Sequence, residues 1–200
     1  MAQPFDPTVS QILIFIRGNN GISTGIKYLF TTAKTQLDNL PPILKSSVVS
    51  TNFSNAENIF DNDFVPRLLI GTQVDVQEAL DLLRVSIELR LDRVLHSFVR
   101  LWWNTLWFTK TVPFTADNMT DYPKLKRYIE STYNQFTSME KSAADAFLAV
   151  YTLWVSIVRL ADLMVKNIPQ MQSMIQNPIN IKVVSSVAKI IGTKICTINS

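Results

Sequence analysis

The chain has 200 residues, 47% of them hydrophobic and only 18% charged, against about 25% charged in an average globular domain. That length allows one domain with a sizeable core, and a mean hydropathy of +0.14 leaves it short of polar cover, so some apolar surface is expected to meet something other than water. The net charge of +3 is spread thinly, its densest cluster being Lys124, Lys126 and Arg127, which excludes the basic stripe of a nucleic-acid binder.

At the start, Met1–Thr8 has no basic region, and the apolar run Ile12–Ile16 is too short for a signal core, so an intracellular protein is expected. A first helix is predicted from about Thr8 to Arg17 and a second from about Ser23 to Leu40, with Asn20-Gly21 between them. The second carries Ile22, Ile26, Leu29, Phe30, Ala33, Leu37 and Leu40 on one side. Lys27, Thr31, Lys34, Thr35 and Asp38 take the other. Pro41-Pro42 ends it, since proline lacks the backbone donor and clashes with the preceding turn. The glycines at 18, 21 and 25 lack the Gly-Lys-Ser/Thr of a phosphate loop and read as a turn between helices.

Ile43 to Asn62 is rich in Ser, Thr and Asn and predicts a frayed helix or two short ones, with Glu57, Asp61 and Asp63 in a solvated loop. The strongest pattern runs from about Thr72, a candidate cap, to Thr109. Its stripe is Val76, Leu80, Leu83, Ile87, Leu91, Val94, Phe98 and Leu101, and Asp81, Arg84, Glu88, Asp92 and His96 pair by charge on the outer face. His96 is the only histidine, and no nucleophile is placed beside it, so no catalytic set is assigned and the protein is read as no enzyme. One His and one Cys, Cys196, assign no metal site, no cofactor and no disulfide.

Phe98, Trp102, Trp103, Trp107 and Phe108 are the densest aromatic cluster. Trp102 and Trp103 are adjacent and point about 100° apart on a helix, so that helix end is apolar over much of its girth. It is packed in a core or faces a lipid interface, where Trp is favoured. Asp121 with Pro123 starts a further helix running through Tyr133 and Phe136. Ser138 caps another that ends about Asn167, before Pro169. Its apolar run, Ala143–Val165, is interrupted by Asp145, Arg159 and Asp162 and reads as a buried core helix. A membrane span would need about 18 or more apolar residues in a row.

After Asn177-Pro178 comes an amphipathic segment. Ile179, Val183, Val184, Val187, Ile190, Ile191, Ile195 and Ile198 fall at helical spacing, while Lys182, Lys189 and Lys194 lie between them, and no acidic residue follows Asp162. Such a stripe suits a lipid surface or a partner groove. Closing the bundle and, because Ile179–Val183 alternates, a short strand are the other readings.

The segment Ala33-Lys34-Thr35-Gln36-Leu37-Asp38-Asn39-Leu40-Pro41-Pro42-Ile43-Leu44-Lys45-Ser46-Ser47-Val48 resembles a stretch of the perilipin family of lipid-droplet coat proteins. Those proteins often carry a Leu-Asp…Leu-Pro-x-Leu segment after an amphipathic helix. The resemblance covers about 16 residues; the family's long run of 11-residue repeats is absent here, and the central helices are richer in Trp and Phe. It implies a droplet coat combining amphipathic surface helices with a helical bundle.

The expectation is therefore an all-α, up-and-down bundle of four or five helices with peripheral amphipathic helices. Residues 1–66 hold N-terminal amphipathic helices, 67–177 the bundle core, and 178–200 a basic amphipathic helix. The function expected is non-enzymatic binding to a lipid surface, at a droplet or membrane in the cytoplasm. The site residues are Ile179, Val183, Val184, Val187, Ile190, Ile191, Ile195, Lys182, Lys189 and Lys194, with Trp102, Trp103 and Trp107. The alternatives are an adaptor with a helical-protein or homo-oligomer interface, and a carrier of a hydrophobic ligand.

Overall fold

A computed structural model describes residues 21–66, 76–105 and 121–176. They form an all-α bundle, with no strand among the described residues. The helices are α1 (Gly21–Asp38), α2 (Ser47–Ile59), α3 (Val76–Asp81), α4 (Glu88–Thr105), α5 (Tyr122–Thr132) and α6 (Ser138–Gln176). A π turn, Leu82–Ile87, joins α3 to α4 in one rod. A second, Phe60–Phe64, continues α2.

α1 forms where the apolar spacing predicts it. Ile26, Leu29, Phe30 and Ala33 are all buried, one above another on a single face. The helix stops at Asp38, and Pro42–Leu44 closes as a 3-10 turn whose Leu44 N–H donates to the Pro41 carbonyl at 2.9 Å. Leu44 is fully buried beneath that turn.

α2 is firmer than its composition predicts. Burial decides it: Val49, Phe53, Ala56, Phe60 and Phe64 lie on one face and are all buried, leaving the Ser and Asn residues toward solvent. Phe30 packs on Phe53 at 5.8 Å and on Phe60 at 5.4 Å between ring centroids, and Phe60 stacks on Phe64 at 5.5 Å. Each such pair contributes roughly 0.5–1.5 kcal/mol beyond its area. Glu57, Asp61 and Asp63 therefore belong to helix and π turn rather than loop.

α1 lies chiefly on α6, α2 on α4, and α4 on α6. Contacts from Lys27 to Asp61, and from Phe30 to Phe53, set α1 antiparallel to α2. On the rod, Leu80, Leu83, Ile87, Leu91, Val94 and Phe98 are buried and Leu101 is partly so, as the stripe predicts. The expected cap Thr72 lies outside the described residues.

α5 starts as expected. The Asp121 side chain accepts from the Lys124 N–H at 3.1 Å, with Pro in the first turn. It ends at Thr132, and Tyr133–Gln135 form a 3-10 turn. At the start of α6 the capping residue is Thr137 rather than Ser138. Thr137 Oγ1 accepts from the Glu140 N–H, and Glu140 Oε1 accepts from the Thr137 N–H, both at 3.2 Å, which is a capping box. This is why a glutamate sits almost buried there.

α6 does not stop before Pro169 but runs on to Gln176. Proline there removes one donor, that for the Val165 carbonyl four residues back, and the turns on either side keep their own bonds. α6 is the one described helix long and apolar enough to cross a membrane by length and composition, and 61% of its most apolar window is buried inside the bundle. Thr152 and Ser156, both buried in it, donate to the Leu148 and Thr152 carbonyls at 2.8 and 2.7 Å, so neither hydroxyl is left unsatisfied.

Candidate functional site

The terminal stripe from Ile179 to Ile198, its lysines and Trp107 lie outside the described residues. Trp102 and Trp103 fall in the last turn of α4, but their side chains are outside the description.

The structure places the other amphipathic segment. The apolar face of α1 is turned into the bundle, with Ile26 and Phe30 fully buried, so in this state it is not presented to a lipid surface. At the flank of that face Lys27 pairs with Glu57 of α2 at 3.4 Å and with Asp61 in the π turn that continues it. Residues 21–27 of the glycine-bearing segment are helix, not a phosphate loop.

Openings on the described surface include a cleft and a shallower recess. The first is a cleft of about 290 Å³ between the end of α1 and the start of α2, with Leu40, Leu44, Val49 and Phe53 at its base. Beside it, Ile43 is 60% exposed and Val48 is 54% exposed. Neither periodicity nor composition announces this corner; it arises because Pro41-Pro42 folds α2 back along α1. The second, about 530 Å³, lies between α1, α5 and α6 and is of mixed character, with Gln36, Glu130, Tyr133 and Asp145 beside Leu148 and Ala149. The Tyr133 hydroxyl donates to Asp145 at 2.9 Å, and Lys141 lies over the Tyr133 ring. Burial, then the Asp145 carboxylate, pushes the Tyr133 phenol above its ordinary range.

Inside the bundle, Tyr122 is the bolt between α5 and the long helices. Its ring meets Trp154 edge-on at 5.6 Å and Phe147 at 6.4 Å, and its hydroxyl donates to the Asp92 carbonyl at 3.3 Å. Burial, helped by the Asp92 charge, pushes that phenol well above its ordinary range. His96, one turn on from Asp92, is exposed. Glu88 titrates above the ordinary carboxylate range because it is partly buried, with Asp162 and Asp92 adding to the effect and Arg84 opposing it. No group of three or more His, Cys, Asp or Glu able to hold a metal occurs among the described residues.

No family model, curated protein or solved structure matches this chain.

Proposed function

We propose that this is a non-enzymatic helical protein that attaches reversibly to a lipid surface inside the cell, that of a droplet or a membrane. The observation that carries this reading is the segment Ile179–Ile198, with eight apolar residues at helical spacing and no charge on its other face except three lysines. Burying an apolar side chain yields roughly 1.5–3 kcal/mol when complete. A few half-buried Ile and Val therefore suffice for reversible attachment. Each lysine adds about 1 kcal/mol near an anionic surface.

The bundle sharpens this reading. The face of α1 is engaged within the core, so attachment falls first on the terminal segment. The stretch resembling perilipins folds as the end of α1, the 3-10 turn and the start of α2, and it leaves Ile43 and Val48 exposed with Lys45 between them. That is a second apolar corner suited to an interface.

Flotation with liposomes and with artificial oil droplets tests the proposal, using the intact protein and a truncation after Asn177. The intact protein is expected to float and the truncation to remain in the dense fraction, with moderate salt weakening flotation only in part. If neither floats, the lipid reading fails and the stripe closes the bundle or serves a protein interface. Complete loss in moderate salt would mean a purely electrostatic partner.

A further inference from the structure

The cleft between α1 and α2 has the chemistry of a ligand site. Its 290 Å³ lies near the lower end of ligand clefts, about 300–1,000 Å³. That holds the head-proximal part of one chain, with the remainder along the open mouth, and leaves no space for a two-chain lipid. The base is apolar, as described above. The rim is not: Lys34 and Lys45 both line it and both are exposed, against a single acid, Asp38.

The start of α2 opens on the same rim. Ser46 stands at the cap position without a side-chain capping bond, and no acidic residue occupies the first turn of this 13-residue helix. The leading amides there have no carboxylate or hydroxyl cap, and their dipole adds to the two lysines in favouring an anion. The serine hydroxyls of 46, 47, 50 and 54 also line the cleft. An apolar base under a net cationic, hydroxyl-rich rim matches an amphiphile with one chain and one anionic head.

We propose that this cleft binds a free long-chain fatty acid as a monomer, its chain against Leu40, Leu44, Val49 and Phe53 and its carboxylate between Lys34, Lys45 and the start of α2. The site is independent of the terminal segment, so it can stand or fall apart from surface attachment.

Isothermal titration of the full chain with oleate, below the concentration at which oleate forms micelles, tests this. One saturable site per chain is expected. Ser50→Phe, at an exposed position on the cleft, fills the mouth and abolishes binding. The double reversal Lys34→Glu/Lys45→Glu removes charge-assisted contacts and weakens oleate about tenfold or more, while leaving oleyl alcohol, which has the same chain and no charge, unchanged. Thermal unfolding followed by circular dichroism checks that each variant is folded; should Ser50→Phe not fold, the charge reversal at two exposed lysines still decides. Absence of saturable binding, binding untouched by the variants, or uptake of oleate only from vesicles would each overturn the proposal. Ser50→Phe retains flotation if the attachment reading holds, so the two proposals fail separately.

Discussion

At the scale of single residues, apolar contact rather than charge holds α1 to α2. Phe30 is fully buried and touches two other aromatic rings, whereas the Lys27 pair sits with its lysine side chain 41% exposed. Phe30→Ala leaves a cavity and is expected to cost about 3–5 kcal/mol. Lys27→Ala is expected to cost less than about 1 kcal/mol, because exposed pairs are screened by water. Urea unfolding of the two variants makes the comparison, and equal losses would refute it. Glu88 offers a test by pH. Its carboxyl is held above its ordinary value in the folded state, so the folded protein binds the proton more tightly than the unfolded chain. Stability therefore falls as pH rises from the ordinary carboxylate value through the raised one, and the penalty persists above it. Glu88→Gln is expected to raise the melting temperature at neutral pH and to converge with the parent in acid. A lower melting temperature at neutral pH would mean that the attraction to Arg84 outweighs burial.

At the scale of elements, the π turn Leu82–Ile87 makes an unusual claim on the rod. A π turn closes i to i+5 and so holds one residue more than an α turn. The buried stripe continues on both sides of it, Leu80 before and Leu91 after, so the extra residue is absorbed locally and the flanks keep their facing. Deleting Val85, which is 62% exposed, is expected to restore a plain α-helix and to keep the fold. Deleting the exposed Arg93 within regular α4 turns everything beyond it by about 100°. Several core side chains would then leave the core, at about 2–5 kcal/mol each, against a total stability of about 5–15 kcal/mol. Circular dichroism of both deletions decides the point. Neither π turn was legible in the sequence, because the apolar spacing of Leu83 and Ile87 is that of an ordinary helix. α1, the rod and α5 were legible, since their stripes, Pro41-Pro42 and the Asp121 cap act locally. α2 was obscured by Ser, Thr and Asn, residues that favour turns and caps until burial of Val49, Phe53 and Ala56 outweighs them. Pro169 misled in the opposite sense, since a helix this long tolerates the loss of one bond.

At the scale of the whole molecule, one core runs from Ile26 to Met164 and joins α1, α2, the rod, α5 and α6. The truncation after Asn177 removes none of those residues. It is expected to melt within a few degrees of the intact protein, so that a loss of flotation reads as loss of attachment and not of fold. A large drop would mean that the terminal segment completes the bundle. The candidate site was legible only in part. The terminal stripe is a one-dimensional pattern and shows in the sequence, while the cleft needs Lys34 and Phe53 brought together across a turn, which no spacing announces.

The pairing of α1 with α6 has a consequence for biosynthesis. About 100 residues separate the end of α1 at Asp38 from the start of α6 at Ser138. At about 5–20 residues per second, a ribosome delivers α6 roughly 5–20 s after α1. Until then the part of α1 that packs on α6 lacks its cover, although Phe30 can already meet Phe53 and Phe60. A nascent chain in that interval carries an apolar ribbon that the bundle has not yet closed over, and the order of synthesis rather than the final contacts decides how long it stays open.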